Sequence, residues 1–205
     1  MDVHGAIVDE RRRIADLVDS LSPAQLVVPS LCSAWTVKQV AGHLLASIDP
    51  SPGLMFPMIV RSGFRLHRAN ALLAVRMAER PAADLAAGLR TNAGRRVSGR
   101  PDQLTDLQVH GQDMRRPLGL PHGLRLERLR VSLEFLAGGR AYGFAPRRRL
   151  ARLRFEASDL DWSAGAGPVV SGPAEALMMA MTGRAVALGE LDGPGVRILR
   201  DRLPA

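Results

Sequence analysis

Asp106, His110 and Asp113 are spaced so that a helix gathers them on one side: at ~100° per residue, the three fall within an arc of roughly 60°. Upstream, a separate segment carries another ligand-type residue, His43. Two imidazoles and a carboxylate, with coordination positions left open, form a set that can hold a zinc-like divalent ion and still admit a substrate. No four adjacent residues enclose a metal alone, so this chemistry needs His43 and the Asp106 helix to face each other inside a helical bundle. Asp113 fits an outer partner that orients His110 or moves a proton better than a further ligand. Plainer readings stand beside these. His43 next to Val40 and Leu44 also suits a satisfied core or surface histidine, and an Asp/His pair four apart is common on exposed helices, where it is a weak contact. Cys32, a single thiol without an evident base beside it, reads as structural, and His4, His67 and His122 lack comparable partners.

The elements that must position these residues are mostly helical. Ile14, Leu17, Val18 and Leu21 mark an amphipathic first helix from about Ile7 to Leu21. Ser22, Pro23 and Gln25 read as a cap, a first-turn proline and a capping-box partner. Thr36 with Gln39 repeats that signal for a second long helix over about Val37 to Ser47, with Trp35 placed to staple onto Val40. Asp49 to Gly53 reads as a loop, followed after Pro57 by a helical region through Leu66, Leu72, Leu73, Val75 and Met77, interrupted at Pro81. Gly94 to Pro101 reads as a further loop. Leu104, Leu107 and Val109 accompany the ligand-type residues on a fourth helix, ended by the Arg115 to Gly123 segment.

Leu124 to Leu136 supports one more helix, and the glycines after it lead to an expected boundary near Pro146. Beyond that point the period changes. Leu153, Phe155 and Ala157 alternate as in a strand, Val169 and Val170 follow a glycine-rich turn, Pro173 to Thr182 forms a short helix closed by Gly183, and Val196, Ile198 and Leu199 suggest a final strand. The expectation is an α+β chain: a helical bundle over 1–146 and a small α/β domain over 147–205.

Composition narrows the function classes. The 205 residues are 46% hydrophobic, enough to bury a sizeable core. With one cysteine no internal disulfide forms, and no leader pattern opens the chain, so a reducing cytoplasm is expected. The most apolar stretch, Gly53 to Val60, is far too short to cross a bilayer as a helix, so no membrane partner is expected. A net charge of +8 raises the prospect of nucleic acid, but Lys38 is the only lysine, the arginines are spread along the chain and aromatic residues are 4%. Arg11 to Arg13, Arg115 with Arg116, and Arg147 to Arg149 read as solvated faces or helix ends, some of them suited to a small anionic substrate.

Three segments carry a family resemblance. Ser33-Ala34-Trp35-Thr36-Val37-Lys38-Gln39-Val40-Ala41-Gly42-His43-Leu44 resembles the tryptophan-to-histidine signature of the mycothiol-dependent maleylpyruvate isomerase family, within the DinB-like metal-binding bundles. Asp106-Leu107-Gln108-Val109-His110-Gly111-Gln112-Asp113-Met114-Arg115-Arg116-Pro117-Leu118-Gly119 resembles its metal helix and following turn. Asp159 to Trp162, Gly172 to Leu177 and Thr182-Gly183-Arg184 resemble its small C-terminal domain. The resemblance implies a DinB-like four-helix bundle with His43, Asp106 and His110 on a divalent metal such as zinc, and Asp113 and Arg184 as catalytic candidates. It implies mycothiol as thiol cosubstrate and a small electrophilic substrate, undergoing isomerisation or thiol transfer. The family pattern has glutamate where this chain has Asp106. A binder that has lost the reaction is the alternative, and a basic nucleic-acid-binding protein a more distant one.

Overall fold

The computed structural model describes residues 1–32, 35–49, 52–63, 65–96, 100–121 and 123–203, with the backbone alone described at 52–56, 66, 67 and 100. Within the family-like run, Ser33 and Ala34 therefore lie outside the described residues, as do 50 and 51 of the first expected loop and 97–99 of the second.

The helices are α1 (Val3–Ser20), α2 (Pro23–Leu26), α3 (Val37–Ile48), α4 (Pro52–Arg61), α5 (Leu66–Met77), α6 (Ala82–Thr91), α7 (Arg100–Arg115), α8 (Leu126–Ala137), α9 (Arg147–Leu150), α10 (Ala174–Met181) and α11 (Gly195–Arg200). Three strands, β1 (Arg154–Ala157), β2 (Ser163–Gly165) and β3 (Val169–Gly172), complete an α+β fold with the expected helical N-terminal part and small α/β C-terminal part. Contacts group the chain into two compact units, residues 2–100 with 110–122, and residue 1 with 101–109 and 123–205; the division falls inside α7.

Local chemistry sets the helix starts. Asp2 accepts from the His4 amide at 3.0 Å and opens α1 four residues before the expected start. Ser22 with Gln25, and Thr36 with Gln39, each form the expected reciprocal capping box. A correction concerns Pro52 to Arg61, where a separate helix, α4, takes up part of the expected loop and carries Pro57 inside it. Pro52 occupies the first helical position, where its missing N–H costs nothing, and so starts a helix where a loop was expected. Pro81 interrupts the pattern as expected, standing at the N-cap of α6, and Pro101 sits in the first turn of α7.

In the larger helical unit, α1 packs on α6, α3 on α5 and α6, and α4 on α5. Ile7, Ile14, Leu44, Leu45, Leu85 and Leu89 lie fully inside it. Arg11 is buried with them, and its Nη1 donates to the carbonyls of Ala93 at 2.8 Å and Arg95 at 2.7 Å, supplying a donor just beyond the end of α6. Gly42 is required by close approach: a Cβ there would lie 2.7 Å from the Ala74 carbonyl oxygen and 3.1 Å from the Ala78 amide nitrogen, on α5 and its C-cap. The residue after it is His43, so this contact bears on how α3 presents that imidazole.

In the other unit, β1 is central, antiparallel to β2 and parallel to β3, with Phe155 opposite both Ala164 and Val170. Phe155 and Val170 are buried, and α10, buried nearly all round, packs on the sheet and on α8. Asp159 accepts from the Ala174 amide at 2.8 Å and so caps α10 from a distance, which gives the family-like Asp159 a structural duty. A second correction is the expected final strand, which is helix α11: Pro194 stands at its N-cap, and Gly195 and Leu199 turn inward one helical turn apart.

Asp102, in the first turn of α7, is held above the ordinary carboxyl value by burial, offset in part by its hydrogen bond from the Gln103 amide and increased by the charge of Asp106 one turn on. A carboxyl raised in the folded state costs stability only when ionised. The cost is absent below the unfolded value, grows as pH rises past it and is complete above the folded one. Asp102→Asn is therefore expected to gain stability relative to the parent as pH rises through the carboxylate range, measured by urea midpoints at several pH values. Gly42→Ala is expected to lose about 1–3 kcal/mol through overpacking. Gly94→Ala, where an added Cβ meets nothing within 4 Å, should stay within about 0.5 kcal/mol.

Candidate metal centre

Helix α7 is buried on nearly every side: Leu104, Thr105, Leu107 to Arg115 are inside, while Asp106 is half-buried. A helix so placed ordinarily reads apolar all round, yet this one carries Thr105, Gln108, His110, Gln112, Asp113 and Arg115 inward. Each such group needs a partner. Thr105 Oγ1 donates to the Pro101 carbonyl at 2.7 Å, and Ser132 Oγ donates to Gln108 Oε1 at 2.5 Å.

The pairing that matters most is between His110 Nδ1 and Asp113 Oδ2, 2.9 Å apart, with Asp113 at 0% exposure and His110 at 8%. With Asp113 ionised, and so an acceptor only, the bond would make Nδ1 the protonated nitrogen and leave the lone pair on Nε2. This is the tautomer a metal needs, fixed by an outer carboxylate.

His43 comes from α3, where the Thr36 capping box and the Gly42 contact set the helix start and its seat on α5. Its ring centroid lies 5.0 Å from that of His110, the two rings nearly perpendicular, and 4.9 Å from that of Trp35. Trp35 is also 6.3 Å from His110 and so forms an aromatic wall beside both imidazoles. Asp106 lies one turn before His110 on the same continuous helix. One ligand atom from each of His43, Asp106 and His110 falls within 4.8 Å of the others. Adjacent donors of a tetrahedral ion with bonds of 2.0–2.1 Å are about 3.4 Å apart, so these side chains need only small adjustments to share one ion. Two neutral nitrogen donors and one carboxylate, two of the three only half-buried, fit a divalent cation with room for another ligand.

A second group shares His110. Cys32, His110 and Asp113 also present ligand atoms within 4.8 Å of one another. Reading Cys32 as a thiol with no base beside it is thus corrected. The signal is absent from the sequence because 78 positions separate Cys32 from His110, and only folding brings the thiol to the imidazole and carboxylate.

Arg184 stands at the start of the 3-10 turn Ala185–Glu190, half-buried, and donates to the Thr182 carbonyl at 2.9 Å. Beside it Arg149 donates to the Met181 carbonyl at 3.2 Å. Burial, and then the positive charges of Arg184 and Arg148, push the Arg149 guanidinium below its ordinary value. Two cations thus meet the C-terminal end of α10, where the helix dipole favours them. Other arginines pair with acids: Arg90 with Asp16 and Asp19, Arg95 with Asp49, and Arg13 with Glu10.

Residues 7–54 match the model of the mycothiol maleylpyruvate isomerase N-terminal domain. That segment belongs to this domain family. The crystal structure of a mycothiol-dependent maleylpyruvate isomerase aligns over 95% of this chain and 95% of its own, with a TM-score of 0.50 and 16% identity, a likeness of fold. No curated protein matches by sequence. Among the described residues, no helix is long and apolar enough to cross a membrane.

Calorimetric titration of the chelator-treated protein with zinc is the direct check on the cluster. His110→Ala is expected to abolish binding. Asp113→Asn, which keeps the shape but weakens the hold on Nδ1, is expected to lower affinity about 10–100-fold. Equal affinity in all three proteins would show that the cluster is not a metal centre.

Proposed function

We propose that this protein is a metal-dependent enzyme of the mycothiol-dependent maleylpyruvate isomerase type, acting on a small electrophilic substrate. The single observation that carries the reading is the convergence of His43, Asp106 and His110 ligand atoms within 4.8 Å. The domain match over residues 7–54 supports mycothiol as the thiol.

A divalent cation held by these residues, with zinc the ion we propose, would favour the thiolate of an incoming thiol whose free pKa of about 8.5 leaves it mostly protonated at neutral pH. His110 is suited to offer Nε2 because Asp113 holds its other nitrogen. The same carboxylate is placed to stabilise positive charge on the imidazole and to take part in proton movement. Trp35 lies beside both imidazoles of the pair. An attacking thiolate adds to an electron-poor double bond; rotation and expulsion give cis/trans isomerisation, while retention gives thiol transfer. Arg184, a catalytic candidate by family resemblance, is the residue we assign to a substrate carboxylate, which its planar fork can hold through two hydrogen bonds.

Asp106 is the feature that sustains the other reading, a metal-binding protein without turnover. A carboxylate one methylene shorter than the family's glutamate must draw the ion closer or hold it through water. The test is mycothiol-dependent turnover of cis-configured α,β-unsaturated acids by zinc-loaded protein. Turnover that needs both metal and thiol is expected, with His110→Ala reducing kcat/KM at least about 100-fold and Arg184→Gln acting mainly through KM. Metal binding without turnover would favour the non-catalytic reading, and undiminished turnover in His110→Ala would exclude the proposed centre.

A further inference from the structure

We propose that Trp35 is a positioning residue of the candidate metal centre: its indole packs on the His43 imidazole and holds that ring in the orientation in which it meets the ion. The inference rests on the function proposed above and adds a residue that donates no atom to the ion.

The backbone that carries the indole is itself fixed. The Ser30 amide and the Ser30 hydroxyl each donate to the Trp35 carbonyl at 2.9 Å, and the Trp35 amide donates to the Cys32 carbonyl at 3.1 Å. The next residue, Thr36, is the N-cap of α3, its amide donating to Gln39 Oε1 at 2.9 Å, and the Val37 amide donates to the Val28 carbonyl at 3.0 Å. The Leu31 amide ties the same segment to α7 through the Asp113 carbonyl at 3.1 Å. Trp35 is thus anchored both to the helix that carries His43 and to the residue that orients His110.

Two imidazoles in one site need two restraints. For His110 the restraint is the 2.9 Å bond to Asp113. His43 is half-buried, and a turn about its side-chain torsions would carry its nitrogens away from the other ligand atoms. Against it stands the indole, with ring centroids 4.9 Å apart and planes inclined at 34°, a separation that aromatic pairs favour. The His110 ring lies 5.0 Å from His43 at 75°, so a turn of His43 would disturb both contacts. The contact with Trp35 also suits the loaded site. A divalent ion draws electrons from the imidazole that holds it, and an electron-poor ring is a better partner for the negative face of an indole, the best of the aromatic side chains in this respect. A leucine at position 35 would fill part of the space without offering such a face.

Proton NMR of the metal-free, full-length protein reads the contact without relying on turnover. The His43 ring protons are expected to be displaced from ordinary histidine positions by the indole ring current, to move part of the way back in Trp35→Phe and further back in Trp35→Leu, with the amide spectrum still that of a folded protein. Zinc affinity by calorimetry is expected to fall about 3–10-fold in Trp35→Leu, the scale of one aromatic pair, and by less in Trp35→Phe, where a ring remains. His43 protons at the same positions in the parent and Trp35→Leu, or equal zinc affinity in the two, overturns the role of Trp35 and leaves the His43, Asp106 and His110 centre standing. A loss of affinity in Trp35→Phe as large as in Trp35→Leu overturns the ring contact as its cause. If the leucine variant does not fold, Trp35→Phe decides, and unmoved His43 protons in it overturn the role. Failure of the parent to bind zinc while its His43 protons are displaced overturns the centre itself, and this inference with it.

Discussion

A carboxylate without access to water must be met by a partner, and Asp113 is met by His110. That bond, buried and joining residues one helical turn apart on α7, holds the imidazole in one orientation. The remaining features gain their purpose from it. His43 brings a second nitrogen, Asp106 brings a carboxylate from the preceding turn, and Trp35 lines the side of the pair. Removing either partner would take this bond from the other, which is buried. Either loss is severe, and a fold that stabilises such a pair only for packing would do as well with two apolar side chains.

The scaffold around the pair is built from ordinary devices. A capping box starts α3 and so sets the register that puts His43 in its second turn. Gly42 lets α3 and α5 approach to a distance that no side chain would allow. Arg11 satisfies carbonyls just past α6 from inside the core, which accounts for one member of a basic cluster that charge alone would assign to an anionic partner. The net charge of +8 is thus met in part by arginines that serve helix ends and acidic neighbours, and a high isoelectric point is weak grounds for nucleic-acid binding in this chain.

How much of this could be read before folding depended on whether the cause was local. Thr36 with Gln39 and Ser22 with Gln25 are three residues apart, and both capping boxes form where expected. The alternation of Phe155 and the Val169-Val170 pair mark real strands, but β2 escaped notice because Ser163 to Gly165 has no apolar alternation to reveal it. Pro52 and Pro57 read as breakers although one starts a helix and the other is tolerated within it. The end of the chain misled for a related reason: Val196, Ile198 and Leu199 are β-branched or apolar, yet Pro194 and the inward turn of Leu199 make a helix. For the site, helical spacing linked Asp106, His110 and Asp113, and the family-like run drew attention to His43. Cys32 could not be linked to them by any spacing, because its nearness to His110 is a tertiary fact.

The central claim is that α3 and α7 offer their side chains to one shared cation. X-ray absorption at the zinc edge, on protein loaded with a single equivalent of zinc, tests it most directly. The account predicts two imidazole nitrogen donors at about 2.0–2.1 Å together with carboxylate oxygen. A shell of water oxygen alone, without the outer-ring scattering of imidazole, would contradict it.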